Sequence, residues 1–360
     1  MTKKNHKSAL YESEGKVSSN INAAYRQNRK ISGPKQYSDE DLKNLLIKGN
    51  KTALSRGITL AESTQEEHQK RAEKLIEGCL PYSQKSIRIG ITGVPGVGKS
   101  TFIEAFGSFL IAKGKKVAVL AVDPTSSVSH GSILGDKTRM EKLVTLENAF
   151  IRPSPSGESL GGVARKTRES IILCEAAGFD VILIETVGVG QSETTVHSMT
   201  DFFLLLKLAR AGDELQGIKR GIIEMADAIV INKADGDNLK AAREASLDFK
   251  RALHLYPTKE SQWKPKVLLC SALKNTGITE IWEMIEKYHG ITNKNGYFNL
   301  NRREQNKFWL LQTINEHLKN RFYSNEKIKQ ELKKQMIAIE NNETSPFTAA
   351  RILLNLPAEN

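Results

Sequence analysis

Residues 93–100 read Gly93-Val94-Pro95-Gly96-Val97-Gly98-Lys99-Ser100, and Thr101 follows. The stretch fits G-x-x-x-x-G-K-[ST]. Its glycines let the chain wrap tightly, so that successive backbone N–H groups point into one concavity. The apolar, β-rich run 87–92 precedes it, and 100–112 has a helical pattern. A strand, a loop and a helix N-terminus are therefore expected in that order, with the helix adding its positive end. In such a loop Lys99 reaches the β and γ phosphates of a nucleotide, and the Ser100 hydroxyl ligates Mg²⁺. A Gly-rich turn bearing a solvated lysine is the bland alternative, and the flanking patterns speak against it.

Outward from the loop, β-rich runs alternate with amphipathic stretches. Strands are expected at 116–122, 180–185, 202–206, 228–232 and 266–270, and helices at 159–177, 217–225, 237–254 and 277–288. Such alternation implies an α/β fold with a mostly parallel central sheet flanked by helices, that of a P-loop NTPase. Upstream, 38–79 reads as helices. Ser38 with Glu40 and Asp41 marks a start, Gly49-Asn50 and Gly57 mark breaks, and Pro81 marks the end. Beyond about residue 296 the chain is helical, charged and poor in glycine, with pieces at 301–340 and 344–355 joined at Asn341-Asn342. Four parts are expected: a basic tail 1–36, an N-terminal helical extension 37–85, a nucleotide-hydrolase domain 86–292 and a C-terminal helical arm 293–360.

At 360 residues the chain can bury a sizeable core. Its longest apolar runs are too short to span a bilayer, and the N-terminus lacks a secretory core. A cytoplasmic protein without a membrane partner is expected. Cys79, Cys174 and Cys270 are scattered and form no CxxC pair, which excludes a disulfide framework or a zinc knuckle. The net charge of +12 suggests nucleic acid at first sight, but residues 1–36 supply half of it, with eight basic and two acidic residues. Such a segment reads as a solvated tail. No basic patch interleaved with aromatics lies outside it, so no nucleic-acid partner is expected.

Asn232-Lys233-Ala234-Asp235 lies just after the apolar run Ala228 to Ile231 and has the N-K-x-D arrangement of a guanine reader. A carboxylate at Asp235 can accept from guanine N1–H and the exocyclic amine. Adenine offers no such donor pair, and a buried acid left unpaired discriminates strongly. Asn232 can bond the base or tie loops together, and the Lys233 stem can lie over the ring. Ser271-Ala272-Leu273, after the next strand, can offer a backbone N–H to guanine O6. The nucleotide is therefore expected to be GTP.

Acids sit at two further strand ends. Asp123 precedes Pro124 and reads equally as an Mg²⁺ ligand or as a turn cap. Glu185 ends the strand at 180–185 and is placed as the Walker-B-type acid. In the Gly-rich loop after it, Gly188 can contact the γ-phosphate, and the loop is a natural switch. Gln191 orients water or lies on the surface. Asp136 and Lys219 lie in polar loops. They would serve metal and γ-phosphate respectively, or be solvated loop charges. Catalytic candidates are thus Lys99, Asp136, Glu185 and Lys219. Metal candidates are Ser100, Asp123, Asp136 and Glu185.

Six strings together resemble the MeaB/ArgK family of GTPases: GVPGVGKST (93–101), VDPTSS (122–127), GSILGDKTRM (131–140), ETVGVGQSE (185–193), GDELQGIKRGIIEMAD (212–227) and NKADGDN (232–238). Leu54 to Glu62 also looks like that family's opening. The resemblance implies a G-protein fold of the SIMIBI type and a homodimer assisted by the C-terminal arm. It implies GTP hydrolysis coupled to loading, protecting or reactivating an adenosylcobalamin-dependent acyl-CoA mutase, typically methylmalonyl-CoA mutase. It further implies that 212–223 is a mobile switch, with Asp213 and Lys219 responsive to that mutase. Val128-Ser129-His130 departs from the family pattern, and the tail has no counterpart in it.

Three other classes compete. A nickel-delivery metallochaperone GTPase would carry His-rich or Cys/His tracts, and the seven histidines here are scattered. A kinase with the same loop would not need the guanine reader. A nucleic-acid binder would need the basic patch that is missing.

Overall fold

A computed structural model describes residues 37–122, 140–153, 160–186, 191–209 and 220–356. Seven strands make one sheet in the order β3-β2-β4-β1-β5-β6-β7. They are β1 (Ile87–Thr92), β2 (Val117–Val122), β3 (Ala149–Arg152), β4 (Val181–Thr186), β5 (Phe202–Leu208), β6 (Ala228–Asn232) and β7 (Lys266–Leu269). Every pairing is parallel. β1, β4 and β6 are buried along their whole length, as expected where helices cover both faces of a parallel sheet. β1 lies between β4 and β5. The chain after β1 leaves to one side and the chain after β4 crosses to the other, so ligands are expected in the crevice beyond the C-terminal end of β1.

The helices are α1 (Asp39–Ile47), α2 (Lys51–Glu62), α3 (Glu66–Cys79), α4 (Lys99–Ala112), α5 (Glu141–Thr145), α6 (Leu160–Ala176), α7 (Gln191–His197), α8 (Arg220–Met225), α9 (Leu239–Leu253), α10 (Ile278–Lys294), α11 (Tyr297–Ser324), α12 (Glu326–Glu340) and α13 (Pro346–Leu354). On one face of the sheet Phe102, Phe106 and Trp282 of α4 and α10 pack against Ile89, Ile91 and Phe202. On the other, Leu46 and Leu54 of α1 and α2 share a core with Ile171 of α6 and with Ile182, Ile184 and Phe203 of the sheet. α9 covers β6 and β7 through Ala242 and Phe249. All three cysteines are buried and free. Burial pushes the Cys79 thiol up to about 11 and the Cys270 thiol up to about 12, so these thiols behave as small hydrophobes.

Boundaries differ from expectation in three places. Gly57 does not break the helix but lies inside α2. A Cβ there would sit 3.1 Å from Leu75 and 3.3 Å from Leu46, so the missing side chain serves close helix packing. The break falls at 63–65 instead. The arm does not run unbroken from 301 to 340. The Asn325 side chain accepts from the Lys327 and Ile328 amides and starts a second helix. β3 was not expected from sequence at all. It is four residues long, and only its first two are buried, so it shows no clear alternation. Ser38 does cap α1, accepting from the Asp41 amide.

Candidate functional site

The loop after β1 forms as expected and is shaped by its glycines. Gly98 has φ +93°, and a Cβ there would come within 2.9 Å of the Asn232 amide nitrogen. Gly93 approaches β5 so closely that a Cβ would meet the Leu206 carbonyl oxygen at 2.6 Å. Both positions therefore need glycine. Val97 is fully buried and anchors the loop, while Lys99 and Ser100 open α4.

Lys99 is buried, and its Nζ donates to the carbonyls of Gly93 (2.8 Å) and Val94 (3.3 Å). Burial pushes its pKa below the ordinary lysine value, against the opposing pull of the Glu185 and Glu193 carboxylates. The ammonium thus sits inside the loop curve, flanked by two acids. Ser100 Oγ donates to Glu185 Oε1 at 3.5 Å. These oxygens, from the start of α4 and the end of β4, are the donor type Mg²⁺ takes. Mg²⁺ needs few protein ligands, because phosphates and water fill the rest. The residues present therefore fit the ion. Among the described residues no group of three His, Cys, Asp or Glu gathers as a metal site. Thr186 Oγ1 donates to Thr92 Oγ1 at 2.9 Å, joining the ends of β4 and β1 beneath the loop.

The base-reading loops are locked onto the phosphate loop. Asn232 is buried and uses both ends of its amide. Nδ2 donates to the Val97 carbonyl at 2.9 Å, and Oδ1 accepts from the Ala272 amide at 3.2 Å. Of its two expected roles, the structure shows the tying of loops. Lys233, at φ +56°, reaches back so that Nζ donates to the Gly96 carbonyl at 2.9 Å. The Ser271 hydroxyl donates to Asp235 Oδ2, which orients that carboxylate. The Ala234 amide donates to the Cys270 carbonyl at 2.9 Å. Residues from 93–100, 232–235 and 271–272 therefore form one continuous wall. The Leu273 side chain is exposed.

Gly93 to Thr101, Glu185, Asn232, Lys233, Asp235, Ser271 and Ala272 are thus brought together at the C-terminal ends of the strands. Asp123, Asp136, Gly188, Asp213 and Lys219 lie outside the described residues. One acid was missed. Glu193, in the first turn of α7, is buried and acts on Lys99. Its only sequence signal was its place in the ETVGVGQSE string, where Glu185 and the glycines drew the reading.

This geometry agrees with comparisons to known proteins. A family described as methylmalonyl Co-A mutase-associated GTPase MeaB matches residues 54–327. GTPase ArgK of Escherichia coli is 47% identical over 308 residues, covering 86% of this chain and 93% of that protein. The mitochondrial methylmalonic aciduria type A homolog of Mus musculus is 43% identical over 319 residues, covering 86% of this chain and 77% of that protein. A solved structure described as LAO/AO transport system kinase superposes with TM-score 0.72 at 40% identity, covering 89% of this chain and 98% of the other. The chain is a GTPase and belongs to the MeaB family of methylmalonyl-CoA mutase-associated GTPases.

Proposed function

We propose that this chain hydrolyses GTP as a partner-responsive chaperone of an adenosylcobalamin-dependent acyl-CoA mutase, with methylmalonyl-CoA mutase the expected partner, and assists its cofactor loading, protection or reactivation. The observation that carries the chemistry is the Asn232 clamp. It makes the base-reading loop and the phosphate loop one unit, so the nucleotide is read at both ends at once. The family match and the mouse relative support the partner.

In this reading Lys99 moves its ammonium from the loop carbonyls to the β and γ phosphates and neutralises their charge. Phosphoryl transfer depends mainly on such positioning and charge. Ser100 and Glu185 would hold Mg²⁺, which when bound would supply charge neutralisation. Asp123 and Asp136 would complete its surroundings, Gly188 would sense the γ-phosphate, and Lys219 would add charge once the mutase engages. Asp235, oriented by Ser271, accepts from guanine. No cluster of metal-binding side chains among the described residues favours a metal-delivery role.

A homodimer is proposed through the arm. The first turns of α11 bury Arg302, Gln305 and Trp309, but Leu310, Leu311, Ile314 and Leu318 further along are exposed. They recur at three- and four-residue spacing, as an apolar stripe awaiting a second surface does.

The partner reading is tested by the GTPase rate with and without purified methylmalonyl-CoA mutase. A severalfold rise and a complex on size exclusion are expected. An unmoved rate with no complex would overturn it. The guanine reading is tested separately with Asp235→Asn, which should shift preference from GTP toward the xanthosine nucleotide. An unchanged preference would sink that assignment.

A further inference from the structure

A second cavity lies at the far end of the sheet from the phosphate loop. It has a volume of about 890 Å³ and wraps the beginning of the edge strand β7, between α9, α10, α8 and the 254–265 connection. Its inner wall is apolar and aromatic, from Leu253, Tyr256, Trp263, Val267 and Met284. Its rim carries Lys250, Lys264, Lys266 and Lys287. All four are exposed, and none is paired with a carboxylate among the described residues. Two carboxylates, Glu224 and Glu260, also line the space, so cations outnumber acids.

The wall is held in place by its own bonds. Lys259 Nζ donates to the carbonyls of Met225 (2.8 Å) and Ala226 (2.9 Å) and to Asp227 Oδ1 (2.9 Å). Trp263 Nε1 donates to the Asp227 carbonyl at 2.9 Å. These bonds pin the 254–265 connection to the end of α8 and the start of β6. The pocket is therefore built by satisfied polar groups around an apolar wall, while its rim lysines are left over. Lys266 Nζ sits 5.9 Å from the centre of the Trp263 ring, so charge and aromatic surface adjoin.

We propose that this cavity is a binding site for a small organic phosphate: a flat or apolar body against Trp263, Tyr256 and Met284, with its anionic group among the rim lysines. The volume lies within the ~300–1,000 Å³ usual for small-molecule sites, which pair apolar walls with a few charged groups. Phosphate suits lysine point charges. The chain's own basic segment 1–36 has the wrong sign to fill the site. The site is separate from the nucleotide, since it lies at the N-terminal ends of the strands.

The test is a titration with 4-methylumbelliferyl phosphate, using full-length protein saturated with GDP and Mg²⁺ so that the phosphate loop is filled. Saturable binding is expected. The phosphate-free 4-methylumbelliferone and inorganic phosphate alone should each bind about tenfold more weakly or worse. Reversing two rim charges in Lys266→Glu/Lys287→Glu should weaken binding by about tenfold or more, with basal GTP hydrolysis unchanged as proof of folding. Absent or unsaturable binding to the wild type would overturn the site. So would equal affinity of the charge-reversed variant, or equal affinity for the uncharged compound.

Discussion

β1 has a buried charged cluster at each end, and the two are built for opposite purposes. At its beginning Arg88, Glu175, Asp201 and Arg302 close on one another. Glu175 accepts from Ser86 Oγ (2.6 Å), from the Gln84 amide (2.8 Å) and twice from Arg88 (2.9 Å each). Arg302 grips Asp201 with two bonds of 2.8 and 2.7 Å and donates to the carbonyls of Gln84 (3.0 Å) and Ser86 (2.6 Å). Burial alone would raise the Glu175 pKa, yet the Arg88 and Arg302 guanidiniums hold it below the usual carboxylate value. Past the other end of β1, burial wins. Lys99 is left with a lowered pKa despite two acids nearby. The first cluster has spent its charges on itself. The second keeps an ammonium that a phosphate can claim.

Lys99→Ala should break the comparison open most widely. Hydrolysis of GTP should fall by about 10²–10³-fold or more, the scale for losing one aimed electrostatic group. Thermal stability should hold or rise, because the variant removes a charge whose burial is a cost. Steady-state GTPase assays and a melting curve on the same sample decide it. A large fall in stability would mean that Lys99 is structural, and the contrast between the two ends would disappear.

Arg302→Met should do the reverse. It leaves Asp201 buried without its fork, which costs about 3–5 kcal/mol, while hydrolysis per folded molecule persists at low temperature. Arg302→Lys should not restore the stability, because a point charge cannot replace a planar fork. Denaturant unfolding reads both. The cluster also sets a pH window. Glu175 has a lowered pKa in the folded chain, so its contribution is present above the ordinary carboxylate value and is lost as pH falls through the folded value. Glu175→Gln should therefore flatten the acid limb of the stability curve. A variant curve parallel to the wild type would count against the assignment.

The two ends also differed in how far the sequence revealed them. The site's parts are short contiguous strings, each with local physics: glycines for a tight loop, an acid at a strand end, a carboxylate for guanine. β6 was readable to the residue because a buried parallel strand is a near-continuous apolar run, and β1, interrupted by Arg88 and Gly90, was marked by its isoleucines and by the glycine loop that follows it. The structural cluster was not readable. Arg88 meets Glu175 across 87 positions, and Arg302 meets Asp201 across 101. Nothing local marks either pair. Gly57 misled for a related reason: a glycine that breaks a helix and one that lets two helices touch look alike until the neighbour is known. The Asn325 cap lies inside a stretch that reads as one long charged helix, so the break there does not show in the sequence.

Glu193 lies between these cases and gives the smallest expected effect. It belongs to a readable string, but its action on Lys99 depends on α7 folding back toward the phosphate loop. α7 is itself tied to the arm. The Ser198 and Thr200 carbonyls just beyond it accept from Trp309 Nε1 (3.1 Å) and Gln305 Nε2 (2.8 Å) of α11. Glu193→Gln removes a charge that favours the Lys99 ammonium, so the Lys99 pKa should fall further. Because kcat/KM reports the free enzyme, its alkaline limb should move to lower pH, with a loss of about tenfold or less at the alkaline end. Neutral-pH turnover and stability should change little. An unmoved limb would place Glu193 with the structural charges, and the end of β1 that carries the phosphate loop would then rest on Glu185 alone.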